Sequence, residues 1–183
     1  TAVDSVDEDA VYSYTITASD VDGDALVYAA PTIPSWLSFN TSTHVLSGTP
    51  VYTDVGSHSV VLTVTDDSDE NLQGPPQSFT VVVSAVNDAP TITSIYDSTA
   101  TEDAAYSYTI TASDVDGDAL TYSAPTTPGW LSFATDTHVL SGTPTNDNVG
   151  DHSVVLRVSD GTVNVDQSFT VTVSNTNDTP VLT

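Results

Sequence analysis

Residues 10–26, AVYSYTITASDVDGDAL, decide the fold, and residues 104–120 repeat them as AAYSYTITASDVDGDAL. The first half sets Tyr12, Tyr14 and Ile16 against Ser13, Thr15 and Thr17, the period-two alternation of a half-buried strand. The copy sets out Tyr106, Tyr108 and Ile110 in the same way. The second half, ASDVDGDAL at 18–26 and 112–120, places aspartates at alternate positions around a glycine that permits a tight bend. These are Asp20, Asp22 and Asp24, then Asp114, Asp116 and Asp118. Carboxylates so close repel one another, and hard oxygen ligands on a loop suit Ca²⁺, which takes about 6–8 oxygens. A solvated acidic turn is the competing reading, since Asp and Gly are ordinary turn residues. Two copies at matching places, with further acids to join them, favour calcium.

Working outward, the repeat covers the chain. Trp36 to Trp130, Gly48 to Gly142 and Pro50 to Pro144 all keep an offset of 94, whereas Phe79 to Phe169 is 90. The first copy therefore carries four extra residues, in the loop DDSDENLQGPPQ that begins at Asp66. Units of this size each suit one small core rather than a solenoid. Short strands with turn signals every 8–12 residues or so indicate a sandwich. HVLSGTP (44–50) ends at a Gly/Pro turn, while SHSVVLTVTD (57–66) and QSFTVVVSAV (77–86) alternate strongly, with Val60, Leu62 and Val64 facing inward. No segment sustains a 3.6-residue period, so no long helix is expected. VNDAPTI (86–92) joins the units and TNDTPVL (176–182) closes the second; a proline just past Asn-Asp makes each a short, stiff, extended exit. The expected division is 1–88 and 89–178, with 179–183 starting another linker.

Composition narrows the function. Of 183 residues, one is Lys or Arg and 25 are Asp or Glu, a formal charge of -24. That excludes the basic footprint of a nucleic-acid binder and disfavours an anionic membrane surface. Divalent cations or a saline exterior are the natural counterparts. No cysteine means no disulfide framework and no thiolate chemistry. Nothing resembles a signal peptide or an apolar span of about 18 residues, and membrane insertion by this stretch is not expected. The chain opens mid-pattern, as an excised piece of something longer would. Val, Thr and Tyr content suits β-sheet.

Taken together, EDAAYSYTITASDVDGDALTY, PGWLSF, LSGTP, VGDHSVVLRVSDG and the closing QSFTVTV resemble dystroglycan-type cadherin-like domains, which overlap with immunoglobulin-like domains of bacterial surface proteins. The resemblance covers nearly the whole chain, twice. It implies an all-β fold of two tandem seven-stranded Greek-key sandwiches, with calcium at domain junctions of a large extracellular or secreted protein. Carried over residue by residue, Glu102 with Asp103 matches the acid of the first strand, and Asp114 with Asp116 matches the Asp-x-Asp after the second. Asp160 matches the later aspartate, and Asn87 with Asp88 matches the linker. The first unit offers Glu8, Asp20, Asp22 and Asp66. The cadherin Asp-Arg-Glu segment is replaced by LSGTP, so one or two ions per junction are expected rather than three. On this reading Glu102, Asp88, Asp114, Asp116 and Asp160 converge on one point.

Trp36 and Trp130 sit in W-L-x-F and read as core plugs rather than sugar platforms. Tyr52 and Tyr96 have no aromatic counterpart in the other unit, and an exposed pair there would favour carbohydrate binding. His44, His58, His138 and His152 read as turn or edge residues, not zinc ligands. No nucleophile elbow or glycosidase cleft is indicated, so no enzyme is expected. The acidic insertion 66–71 is either a solvated loop or an extra ion site. Arg157 points outward, opposite Leu156 and Val158. The resulting expectation is a calcium-rigidified spacer or adhesion module of a bacterial cell-surface or secreted protein. The alternative is calcium-dependent binding of a polysaccharide or of another copy of the domain.

Overall fold

The structure, a computed structural model, describes residues 3–67 and 72–180. The chain divides into two compact units, Thr1–Val86 and Asn87–Thr183. Most of the acidic insertion, residues 68–71, lies outside the described residues.

Among the described residues the first unit has seven strands: β1 (Ser5–Asp7), β2 (Tyr12–Thr15), β3 (Leu26–Thr32), β4 (Leu37–Asn40), β5 (Val45–Gly48), β6 (Gly56–Asp66) and β7 (Gln77–Ser84). They form two sheets, ordered β1-β7-β6-β3 and β2-β5-β4, the arrangement of a Greek-key sandwich. β1 runs parallel to β7, from Ser5 opposite Val82 to Asp7 opposite Ser84. Period-two alternation buries Tyr12, Ile16, Val60 and Leu62 between the sheets, as the sequence pattern requires. Pro75 and Pro76 cannot donate to a ladder, and β7 starts just after them.

The second unit repeats this plan, and among the described residues it is divided into nine strand segments. They are β8 (Thr91–Ile92), β9 (Thr99–Thr101), β10 (Tyr106–Thr109), β11 (Ala112–Ser113), β12 (Thr121–Thr126), β13 (Leu131–Ala134), β14 (Val139–Gly142), β15 (Gly150–Ser159) and β16 (Asn164–Ser174). The sheets are β12-β15-β16-β9, β10-β14-β13 and the pair β11-β8. β8 and β9 are separate because the chain changes sheet between them, from the pairing with β11 to the edge of β16, through a turn in which the Asp97 carboxylate accepts the Thr99 N–H at 2.9 Å. The core centres on Ile110, Leu140, Val154, Leu156, Val158 and Val171, each at most 1 % exposed. Only two short 3₁₀ turns, Tyr52–Asp54 and Asn146–Asn148, interrupt the all-β pattern among the described residues.

Three recurring details explain the repeated motifs. Trp36 is half-buried against the core, edge-on to Tyr12 at 5.9 Å and to His58 at 5.8 Å. Trp130 does the same with Tyr106 at 6.0 Å and His152 at 5.7 Å. Gly48 and Gly142 lie against the Trp36 and Trp130 carbonyls, where any Cβ would overlap the oxygen. His44 and His138 adopt φ of 58° and 59° in turns and stack on Tyr28 and Tyr122 at 4.0 and 3.8 Å. His58 and His152 hydrogen-bond through Nε2 to the carbonyls of Asp54 and Asn148. All four histidines are thus accounted for structurally.

Candidate metal centre

Each aspartate loop is built locally. Asp20 Oδ1 accepts the N–H groups of Asp22 at 2.8 Å, Gly23 at 3.0 Å and Asp24 at 3.3 Å. Asp114 Oδ1 accepts those of Asp116 at 2.9 Å and Asp118 at 3.4 Å. Gly23 and Gly117 take φ of +87° and +77°, a left-handed bend that a side chain would strain. The bend turns the aspartates together, and carboxylate oxygens of Asp114, Asp116 and Asp118 lie within 4.8 Å of one another. At about 4 Å each like-charged pair costs about 1 kcal/mol in water and about 4 at an effective dielectric of 20. Asp114 Oδ2 is buried and has no hydrogen-bond partner, uncommon for a buried polar atom.

In the second unit further groups close on this loop. The Asp88 N–H donates to Asp116 Oδ2 at 2.7 Å. Asn87 donates through Nδ2 to Asp160 Oδ2 at 2.9 Å, and Asp160 Oδ1 accepts from Thr162 and Val163 N–H at 2.6 Å each. The Val163 amide, then the Asn87 side chain, hold the Asp160 carboxyl below the usual carboxylate range. Asn87, Asp88, Asp114, Asp116 and Asp160 therefore share the end of the unit at which the chain enters. Asp118 joins them; its signal in the sequence was its place as the third alternate aspartate.

Glu102 and Asp103 do not join that group, contrary to the expected convergence. β9 runs parallel to β16, with Thr101 opposite Ser174, and so delivers Glu102 to the end where the chain leaves. Asp160 precedes β16, so the two acids are separated by its 11 residues, about 36 Å at ~3.3 Å per residue. Glu102 is 3 % exposed and accepts from Thr176 N–H and Asn175 Nδ2, both at 3.0 Å. Asp103 serves as a left-handed turn residue, φ 61°, whose N–H donates to the Pro144 carbonyl at 2.9 Å.

The first unit shows the same separation. β1 carries Glu8, also 3 % exposed, to the exit end, where Oε1 accepts the Val86 N–H at 2.8 Å and Oε2 is buried without a hydrogen-bond partner. Glu8 is thus parted from Asp20 and Asp22, although the sequence reading had grouped them. Asp66 ends β6 near the aspartate loop, but its Oδ1 accepts the Leu72 N–H at 3.0 Å. Asp67, beside it, accepts from Ala25 N–H at 3.1 Å.

A two-sheet sandwich of this order, with an acid cluster beside its entering chain, defines a cadherin- or immunoglobulin-like module. The chain belongs to the family described as "Putative Ig domain", whose model matches residues 1–84 and 89–174, in two tandem copies. It is 30% identical over 133 residues to a "Serine-rich adhesin for platelets" of Staphylococcus aureus (strain MRSA252), a match covering 72% of this chain and 9% of that protein. The chain thus spans less than a tenth of the curated relatives it matches. Human Protocadherin-24 EC1-2 has a TM-score of 0.50 at 16% identity, covering 94% of each chain, which is a likeness of fold. An endo-fucoidan hydrolase from glycoside hydrolase family 107 has a TM-score of 0.44 at 26% identity, covering 97% of this chain and 28% of that one.

Proposed function

We propose that the chain is a non-catalytic, calcium-binding repeat pair from an extracellular, adhesin-type bacterial protein, in which the ion stiffens the tandem. The observation that carries this is the gathering of Asp114, Asp116 and Asp118 oxygens within 4.8 Å, with one Asp114 oxygen buried and unpartnered. Asp160, with backbone carbonyls near Asn87, would complete a hard-oxygen shell of the size calcium takes. The ion cancels repulsion among the acids and pins residues 87 and 88 to the second unit. On the other side, Val86 is already held by Glu8 within the first unit. A linker so held leaves little free chain between the repeats, which is what a spacer or adhesive stalk needs.

Modules of this kind bind calcium at ~10⁻⁴–10⁻³ M. Calorimetric titration of metal-free protein with Ca²⁺, repeated on Asp114→Ala and Asp160→Ala, measures the site directly. Binding that both substitutions leave unchanged rejects it. Small-angle scattering with and without chelator tests the stiffening, and superimposable profiles refute that role.

The alternative, calcium-dependent binding of a polysaccharide or a second copy, has less behind it. Tyr96 stacks on Phe169 at 4.2 Å, and both tryptophans pack on their cores, so Tyr52 and Tyr96 form no exposed pair. Pull-down on insoluble polysaccharide with Ca²⁺ or EDTA decides it; retention that tracks calcium would favour the alternative.

A further inference from the structure

Asn87 stands among the residues that the family resemblance groups around calcium, yet its geometry is that of a donor. Its Nδ2 lies 2.9 Å from Asp160 Oδ2 and 3.0 Å from the Asp88 carbonyl. Neither an ionised carboxylate nor a carbonyl carries a hydrogen, so the end of the amide that faces them must be the NH₂. Both of its hydrogens are thereby committed. An amide ligates a cation only through its oxygen, so this nitrogen takes no part in a metal's shell.

The bond to the Asp88 carbonyl is local, and Asn177 makes the same one to Asp178 at 3.4 Å. The bond to Asp160 is tertiary, for it joins residues 73 apart in sequence. Asp160 is otherwise held within its own turn, where Oδ1 accepts the Thr162 and Val163 amides at 2.6 Å each. Local bonds thus fix one oxygen of Asp160, and Asn87 fixes the other. The next residue does the same for the aspartate loop, with the Asp88 N–H on Asp116 Oδ2 at 2.7 Å. All of these residues lie in the second unit, Asn87–Thr183. Consecutive residues of the entering chain therefore each set a donor on a carboxylate, and such charge-assisted bonds are about twice as strong as neutral ones.

We propose that Asn87 is a positioning residue: its side chain latches the entering chain to Asp160 in the metal-free protein and stays there, as a donor, when Asp160 takes part in holding calcium. The calcium-bound half of this rests on the proposed function; the metal-free half does not. The ion then meets a carboxylate already aimed and a chain already in place. Two hydrogen bonds on the surface open and close, so the ion still has stiffness to add. Partners that orient a ligating carboxylate are worth about 10–100-fold in metal affinity.

The test uses the whole chain, first in EDTA. Hydrogen exchange followed by NMR should find the Asp88 amide and the Asn87 side-chain protons protected. Asn87→Ala and Asn87→Asp should each cut protection of the Asp88 amide at least ~tenfold, the aspartate more because it sets a like charge against Asp160. Calcium is then added. The Asn87 side-chain protons should stay protected, and Asn87→Ala should weaken binding by about 10–100-fold in calorimetric titration. An unprotected Asp88 amide in the metal-free protein, protection that survives both substitutions, release of the Asn87 protons by Ca²⁺, or unchanged affinity in Asn87→Ala overturns the proposal. A chain that binds no Ca²⁺ but loses protection on substitution upholds the latch and sinks the calcium reading alone.

Discussion

The loops at 18–26 and 112–120 are identical in sequence and differ in what surrounds them. In both, the first aspartate turns back onto the amides that follow it, which is local chemistry. In the second unit Asp116 is half-buried and takes the Asp88 N–H, while Asp160 takes Asn87. In the first, Asp22 is exposed and Asp66, which stands for Asp160, is engaged by Leu72. Asn87 and Asp88 have counterparts at Asn177 and Asp178, and none ahead of the first loop in this sequence. An aspartate loop alone thus presents a charge cluster; in the second unit the linker and the strand-end aspartate close on it.

The largest test concerns the frame that both units share. Gly48→Ala and Gly142→Ala each drive a Cβ into a tryptophan carbonyl and should cost about 3 kcal/mol or more, removing the melting transition of the unit concerned. If either were tolerated, the two units would not share one frame. Next comes calcium. At 100 times Kd it should stabilise by about 2.7 kcal/mol, read as hydrogen-exchange protection concentrated in the second unit. Asp114→Ala should abolish most of that protection and Asp20→Ala little of it; equal protection of both loops would erase the comparison.

Titration sharpens it further. Burial, then the charges of Asp97 and Tyr108, push the Tyr106 hydroxyl up to about 12. Tyr12 is raised by burial, Tyr14 and Asp4. A raised acid is held neutral, so its contribution to stability is complete below its ordinary value of 10.0 and lost as pH rises through the folded value. Phenolate formation at Tyr12 and Tyr106 should therefore accompany alkaline unfolding rather than precede it. Asp160 has the opposite sign. Its contribution is present above the ordinary 3.8 and lost as pH falls through the depressed value. In calcium-free protein, Asn87→Ala should move its NMR titration upward. The smallest effect belongs to the Arg157–Asp166 pair, at 2.7 and 2.8 Å on the surface of the second unit, where the first has Thr63 and Pro76. Arg157→Thr should change stability by less than about 1 kcal/mol, measured by denaturant unfolding.

Much of this was legible in the residues. Period-two alternation at Tyr12 to Ile16 and at Val60 to Leu62 specifies strands and their buried side, because side-chain direction in a strand depends only on spacing. The aspartate bends, the turn histidines and the tryptophan plugs are likewise short-range. The change of sheet at Asp97 was not legible, because it leaves no mark in the alternation.

The sequence alone determined a tandem all-β pair, its acidic character and the two loops where carboxylates crowd, since all of these rest on neighbours a few residues apart. Only the tertiary structure decided which acids meet. Parallel pairing of β1 with β7 and of β9 with β16 carries Glu8 and Glu102 to the exit ends, away from the loops of their own units with which the family resemblance had grouped them. The direction in which an edge strand pairs is set by partners more than seventy residues distant, and no local pattern records it.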